Sequence, residues 1–299
     1  MLSEFKTNAK ILVQGATGRE GQRAIEFMKN YGTNVVAGVT PGKGGQEVLG
    51  VPIFNSIKEA LGKVGPVDAV STYVPPPACL SAIKEVIESE IPFIHLITDG
   101  VPYQDLASMV KLCRDNNVQF LGPGSLGVLT IGQGRVGFLG GTDPKKDYQA
   151  GEVSIISRSG GMTNEVAHYL NQYGIGLRTM IHLGSDKISG ANVGEAINAL
   201  SQDKQTKIIV VFEEIVNNDL SDLAEFFSKQ KLNKPVIISL TGISRNIMPE
   251  GVSFGHVDAL LKGDSNLLNK NIGRIKSAGV VTVDSYEDFV PAIKNLSTY

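Results

Sequence analysis

The feature that most constrains the fold of this chain is a repeated alternation of short apolar runs with helical segments. Apolar runs in the first half predict strands at 10–13, 34–39, 69–74, 93–97 and 119–122. The segments between several of these runs predict helices at 22–30, 78–90 and 103–116. Strands that alternate with helices form βαβ units, so we expect a mainly parallel sheet with a Rossmann-like architecture.

The second half repeats this pattern and predicts a second α/β domain. Its apolar runs predict strands at 153–157, 207–212, 235–240 and 280–283, with helices at 162–173, 219–230 and 264–278. The polar stretch 142–149 has no apolar period, and we place the domain boundary there. Residues 1–143 then form the Rossmann-like domain, and residues 150–299 form a flavodoxin-like, doubly wound domain. Such sheets bind ligands at the carboxyl ends of their strands.

Composition excludes several classes of protein. The 299 residues are 42% hydrophobic and 19% charged, with a net charge of −2. These values predict a globular protein, and they favour neither nucleic acid nor an anionic membrane as a partner. No apolar run approaches the roughly 20 residues of a membrane span. Cys79 and Cys113 lie outside any metal-binding spacing, so we expect no metal site, no disulfide and a reducing, cytoplasmic location.

Glycine-rich turns follow the first two predicted strands. The first turn reads GATGREG, from Gly15 to Gly21, and it precedes a predicted helix. Such a turn lets a phosphate approach the helix N-terminus, where N–H groups and the helix dipole favour an anion. The second strand leads into VTPGKGG, which places Lys43 among glycines. A lysine in this position suits a phosphate, although an exposed lysine in an ordinary turn fits the pattern equally well.

Four motifs then carry a resemblance to a known family. VTPGKGG is followed in order by GVPIFNS (50–56), YVPPP (73–77) and ITDGVP (97–102). Together they resemble the alpha subunit of succinyl-CoA synthetase and its relatives, which include malate–CoA ligase, citryl-CoA synthetase and ATP-citrate lyase. The resemblance implies that the first domain binds coenzyme A through Gly15, Thr17, Gly18, Gly21, Lys43, Val74, Pro75, Ile97 and Thr98.

The second domain carries residues suited to phosphoryl chemistry. Ser159, Gly160 and Gly161 begin a predicted helix, where a phosphate needs only backbone N–H groups and a hydroxyl. An ordinary N-cap at Ser159 is the alternative interpretation. A neutral ring nitrogen of His256 is a competent nucleophile, and the Glu214 carboxylate is suited to fixing its tautomer. In the family that this chain resembles, the matching positions surround a phosphohistidine.

The other histidines receive different interpretations. His95 lies in a predicted apolar strand and His168 on a predicted helix, so we expect structural or solvated roles for both. His182 precedes the Gly184 turn by two residues. It is a secondary candidate for contact with the phosphate or the acid.

The resemblance implies a three-step reaction and a partner chain. A nucleoside triphosphate, ATP or GTP with Mg²⁺, is bound on a beta subunit and phosphorylates His256. The phosphate passes to a carboxylic acid to give an acyl phosphate, and the CoA thiol then displaces it to form a thioester. The sequence contains no GxxxxGK[ST] motif of its own, so we expect the nucleotide site on the partner.

The loops that face the acid depart from the pattern of succinate-specific relatives. Those relatives usually carry G-P-N-C-P-G where this chain has GPGSLG (122–127), and G-G-D-P where it has GSDK (184–187). The SRSGGM segment (157–162) resembles the citrate-handling branch. We take Gly124, Ser125, Gly184 and Ser185 as candidates for the acid site. Succinate and citrate stay open as substrates, with malate as an alternative. The lack of a citrate-synthase-like extension favours a synthetase over a lyase.

Two other classes remain as alternatives. A Rossmann-like turn is typical of NAD(P)-binding oxidoreductases, but the acidic residue that would bind the ribose is missing after the second strand. A non-catalytic CoA-binding regulator would share the fold. The presence of His256 together with Glu214 and Ser159 argues against a regulator.

Overall fold

The structure is a computed structural model, and it describes residues 2, 6, 8–186, 188–214, 219–241 and 265–296. The strands are β1 Lys10–Gln14, β2 Asn34–Val39, β3 Glu47–Val48, β4 Val51–Phe54, β5 Ala69–Thr72, β6 Phe93–Leu96, β7 Gln119–Leu121, β8 Gly127–Thr130, β9 Gly134–Gly137, β10 Ala150–Ser157, β11 Leu177–His182, β12 Ile208–Glu214, β13 Val236–Thr241 and β14 Val281–Val283. The helices are α1 Arg19–Tyr31, α2 Ile57–Val64, α3 Cys79–Glu88, α4 Tyr103–Asp115, α5 Pro144–Asp147, α6 Gly160–Gln172, α7 Val193–Gln202, α8 Asp219–Lys229, α9 Ser265–Ser277 and α10 Phe289–Leu296.

The first sheet has the order β3-β4-β2-β1-β5-β6-β7. All its pairings are parallel except the β3–β4 hairpin at one edge. The central strand β1 buries Ile11, Leu12 and Val13 completely, which explains why its sequence is continuously apolar. The predicted parallel, Rossmann-like domain is therefore confirmed. The β3–β4 hairpin was not predicted, since two-residue strands carry no measurable periodicity.

The second sheet has the order β14-β13-β12-β10-β11-β8-β9. Strands β10 to β14 are parallel to one another, while the β8–β9 hairpin joins β11 in antiparallel fashion. An antiparallel edge on a parallel sheet is common in doubly wound folds. The mixed α/β architecture predicted for this half is present.

The predicted boundary at 142–149 does not coincide with the division between the two sheets. The hairpin 127–137 precedes that boundary, yet it forms the edge of the second sheet, with Val128 opposite Ile181. Val128 and Leu129 are fully buried in this position. The sequence pattern predicts where strands occur along the chain but not which strands pair. It therefore could not reveal that β8 pairs with β11, some 50 residues later.

A buried arginine attaches this hairpin to helix α1 of the first domain. Arg135 in β9 is fully buried, and its Nη2 donates to the Phe27 carbonyl at 2.8 Å while Nη1 donates to the Gly141 carbonyl at 2.7 Å. The guanidinium carbon also lies 4.8 Å from the centre of the Phe27 ring. The Thr33 hydroxyl donates to the Arg135 carbonyl and accepts from its N–H, at 2.9 and 3.0 Å. Burial lowers the pKa of Arg135 to about 10, so the side chain stays charged at neutral pH. Arg135 therefore connects the two domains through hydrogen bonds to backbone carbonyls.

Two further findings concern the described residues as a group. None of their helices has the length and apolar character needed to cross a membrane. No cluster of three or more of their His, Cys, Asp or Glu side chains is arranged to hold a metal ion.

Candidate active site

A cleft opens at the carboxyl end of the first sheet, where β1 lies between β2 and β5. This is the point at which the strand order reverses, and ligands of doubly wound sheets bind at such points. The cleft has a volume of about 710 Å³. The residues that line it include Gly15, Thr17, Gly18, Thr40, Val74 and Pro75.

The glycine-rich turn shapes one wall of this cleft. Gly15 has a φ of +74°, and a Cβ there would lie 2.5 Å from the Tyr73 carbonyl oxygen. Gly18 is the N-cap of α1 and has no side chain with which to close the helix end. The Thr17 N–H is held by the Thr40 hydroxyl at 3.3 Å. The N-terminus of α1 therefore opens on the cleft, where its dipole favours an anion such as a phosphate.

Gly21 provides a test of this turn. It lies in the first turn of α1, and a Cβ there would be only 2.2 Å from the Gly15 carbonyl oxygen. The substitution Gly21→Ala should displace the turn and weaken CoA binding about 100-fold, a loss of about 2.7 kcal/mol, measured by isothermal titration calorimetry.

Gly62 in α2 is a matched control, because a Cβ there meets nothing within 4 Å. Gly62→Ala should leave CoA binding unchanged and stabilise the protein by about 0.5–1 kcal/mol through helix propensity. Unaltered CoA affinity in Gly21→Ala would contradict the role given to this turn.

The opposite rim of the cleft is the loop that carries Lys43. The Lys43 side chain is exposed, and its own N–H donates to the Thr40 carbonyl at 3.1 Å. The Asn55 side chain, which also lines the cleft, accepts from the Gly44 N–H at 2.9 Å. These bonds hold the loop beside the cleft, within the same region as the glycine-rich turn.

The remaining predicted CoA residues meet around the end of β5. Val74 and Pro75 line the cleft directly. The Thr98 hydroxyl donates to the Val74 carbonyl at 2.6 Å, and the Ile97 N–H donates to the Thr72 carbonyl at 3.4 Å. Thr98 therefore supports the cleft wall through Val74.

Sequence reasoning missed two polar residues in the wall of the cleft, Gln14 and Glu85. The Gln14 amide donates to the Glu85 carboxylate at 3.2 Å, and the same carboxylate accepts from the Ile57 N–H at 2.7 Å. This pair joins β1 and α3 to the start of α2. No sequence signal could identify it, since 71 positions separate the two residues and only the packing of α3 brings them together.

The second sheet has a similar strand-order reversal, at β10 between β11 and β12. Helix α6 begins here with Ser159 as its N-cap, and the Ser159 hydroxyl accepts from the Met162 N–H at 3.4 Å. Gly161 is exposed, and a Cβ there would meet nothing within 4 Å. Glu214 ends β12, the neighbouring strand, although its side chain lies outside the described part. His256 lies outside the described residues.

The loops that carry the acid-site candidates lie against each other. A Cβ at Gly184 would be 2.1 Å from the Pro123 carbonyl oxygen, and one at Gly124 would be 3.2 Å from the Ser185 hydroxyl. The loops after β7 and β11 therefore come together. Ser125 requires a correction, because its side chain is fully buried and inaccessible to a substrate. Its hydroxyl donates to the His182 carbonyl and accepts from the Gly127 N–H at 2.9 Å.

The three described histidines have distinct surroundings. His95 is fully buried between the Ser71 hydroxyl and the Ser125 carbonyl, at 2.8 and 2.9 Å. His168 is exposed and bonds to the Gln172 side chain at 2.9 Å. His182 is 3% exposed, and both of its ring nitrogens bond to the backbone. Burial lowers the pKa of His95 and of His182 to about 4, so both rings are neutral at physiological pH.

Comparisons with known proteins match both halves of this chain. Residues 6–100 match the CoA binding domain family, and residues 150–296 match the succinyl-CoA ligase like flavodoxin domain family. The alpha subunit of the ADP-forming succinate–CoA ligase from Aquifex aeolicus is 34% identical over 280 residues, which are 93% of this chain and 89% of the relative. An alpha subunit 2 of the same enzyme from Archaeoglobus fulgidus is 35% identical over 90% of this chain and 91% of the relative.

A solved structure shares the fold. It is the ATP citrate lyase from Methanothrix soehngenii, determined in complex with citrate and coenzyme A. It superposes on 99% of this chain with a TM-score of 0.87, at 22% sequence identity. The superposed region is 51% of the longer ATP citrate lyase chain.

The two family matches and these relatives define the class as an acid–CoA ligase subunit. Within that class, the chain belongs to the family of succinate–CoA ligase alpha subunits.

Proposed function

We propose that this chain is the alpha subunit of a nucleoside-triphosphate-dependent acid–CoA ligase that works through a phosphohistidine. The observation that carries the proposal is the presence of two strand-order reversals in one chain, each with a helix N-terminus suited to an anion. The N-terminus of α1, at the first reversal, suits the phosphates of CoA. The N-terminus of α6, at the second reversal, suits the phosphate that is transferred.

The lining of the first cleft suits the chemistry of coenzyme A. Gly15 and Gly21 allow the tight turn, Gly18 leaves the N-terminus of α1 without a side-chain cap for the phosphates to approach, and the exposed Lys43 lies on the rim to pair with them. Val74 and Pro75 give an apolar wall for the rest of the ligand. An NAD(P) oxidoreductase is disfavoured, because the loop after β2 offers Thr40 and Pro41 to the cleft where a ribose diol needs a carboxylate.

The phosphoryl step is assigned to His256 and the residues that match its family surroundings. A ring nitrogen attacks the γ-phosphorus of ATP or GTP, bound with Mg²⁺ on a beta subunit, and the bond to the nucleoside diphosphate breaks. Glu214 stabilises the charged ring, and the α6 N-terminus at Ser159, Gly160 and Gly161 holds the phosphate. A substrate carboxylate then takes the phosphoryl group. The CoA sulfur attacks the acyl carbon, and inorganic phosphate leaves.

The acid is either succinate or citrate in this proposal, and malate is the alternative. The paired loops around Gly124, Gly184 and Ser185 differ from the usual succinate motifs, and citrate needs more room and more hydrogen-bond donors than succinate. Thioester formation should be assayed with each of the three acids, together with CoA, ATP and the cognate beta subunit. Turnover with succinate alone would eliminate citrate.

Labelling tests the mechanism itself. We expect γ-³²P-labelled ATP and the beta subunit to place an acid-labile, base-stable phosphate on this chain, and added acid plus CoA to discharge it. Absence of that phosphate while CoA still binds would favour a non-catalytic CoA-binding regulator over the ligase.

A further inference from the structure

We propose that His182 is a positioning residue that holds the loop 122–126 at a set distance from the N-terminus of α6. The inference rests on the proposed function, in which that loop contacts the acid and that helix end holds the phosphate. His182 ends β11, between the end of β10 and the start of β8. It therefore lies between the two segments that it joins.

The hydrogen bonds determine the tautomer of this histidine. Nδ1 lies 2.7 Å from the Leu126 backbone nitrogen, and an N–H can only donate, so Nδ1 must accept. Nε2 therefore carries the proton and donates to the Arg158 carbonyl at 2.9 Å. The lowered pKa of the ring agrees with this neutral form, since protonation would remove the acceptor that Leu126 uses.

The two bonds have separate structural consequences. Leu126 follows Gly124 and Ser125 in the loop after β7. The bond at Nδ1 therefore fixes the position of the loop 122–126. Arg158 precedes the Ser159 N-cap, so the bond at Nε2 fixes the entrance of α6. The ring also packs closely on that entrance, because a Cβ at Gly160 would lie 3.1 Å from its Cε1 atom. One rigid ring thus sets the spacing between the acid and the phosphate.

Two amide substitutions separate these bonds. In His182→Asn the side-chain oxygen lies where Nδ1 was, so the Leu126 N–H keeps its acceptor. In His182→Gln the amide nitrogen lies near Nε2, so the Arg158 carbonyl keeps its donor. We expect the glutamine variant to raise KM for the acid about tenfold, because it leaves a buried N–H unpaired, while His256 phosphorylation and KM for CoA change less than about twofold.

The asparagine variant should show the opposite pattern. KM for the acid should stay within about twofold of the wild-type value, and the rate of His256 phosphorylation should fall about fivefold, because the Arg158 carbonyl loses its donor. The probes are succinate and citrate, assayed with the beta subunit, ATP and CoA. His168→Asn and His168→Gln are matched controls, since His168 is exposed on α6, and both should match the wild type.

The outcomes distinguish the inference from the proposed function. If the wild-type protein acquires no phosphohistidine, the proposed function is wrong. If the wild type is active and both His182 variants keep normal KM for the acid, the positioning role is wrong. If His182→Asn and His182→Gln change KM for the acid and the rate of His256 phosphorylation equally, His182 has a structural role alone. That result would also overturn the inference. Thermal unfolding of each variant establishes that it is folded before its kinetics are compared.

Discussion

The substitution His256→Asn should reduce the rate of thioester formation by at least about 10⁴-fold, the scale of loss seen when a covalent nucleophile is removed. An asparagine amide is a poor nucleophile toward phosphorus, so the ³²P label should disappear from the chain. CoA binding should be retained, because the residues that line the cleft of the first sheet all lie between Gln14 and Glu85 in the chain. Labelling, initial rates and calorimetric CoA binding on the same preparation measure all three quantities.

His168→Asn is the matched control for this experiment. His168 is exposed on α6 and bonds to the Gln172 side chain, so its loss should change neither the labelling nor the rate. A His256→Asn protein that still acquires the label would assign the phosphate to another residue. Simultaneous loss of CoA binding would instead indicate that the substitution disturbs the fold.

The substitution Arg135→Ala should lower the free energy of unfolding by about 4 kcal/mol, because it removes a fully buried side chain together with its hydrogen bonds to two backbone carbonyls and leaves a cavity. The carbonyls concerned are those of Phe27 and Gly141. The guanidinium also stacks on the Phe27 ring, and that contact is lost as well. The midpoint and slope of urea unfolding measure the change.

Two variants accompany this measurement. Arg135→Lys keeps the charge but lacks the planar fork, so we expect a loss of about 2 kcal/mol. Arg114→Ala removes an exposed arginine of α4 and should change stability by less than about 0.5 kcal/mol. If Arg135→Ala and Arg114→Ala unfold at the same urea concentration, the hairpin is attached to α1 by something other than Arg135.

The elements that the sequence predicts well are those with a strong local pattern. The strand 34–39 was predicted with its observed bounds, and the helix predicted at 103–116 ends one residue from its observed end. The glycine turn at Gly15 was recognisable because a φ of +74° requires glycine there. The hairpin β3–β4 and the division between the sheets were not predictable, since both depend on pairings between strands.

The residues of the candidate sites also differ in whether a local sequence pattern or a contact between distant residues determines them. The glycine turn, the Lys43 loop and the start of α6 each consist of contiguous residues, so the sequence alone was enough to propose them as ligand sites. The surroundings of a single side chain depend on what packs against it. Ser125 was chosen as an acid contact from its loop, yet the structure buries it against His182.

By itself, the sequence determined the α/β class, the repetition of that pattern in both halves and the positions of the glycine-rich turns, because each follows from local periodicity and from the positions of glycines. Tertiary structure decided that residues 127–137 join the second sheet, that Arg135 connects that sheet to α1, and that His182 lies between the loop 122–126 and α6. These are contacts between residues far apart in the chain, and a hydrogen bond between such residues leaves no periodic signal in the sequence.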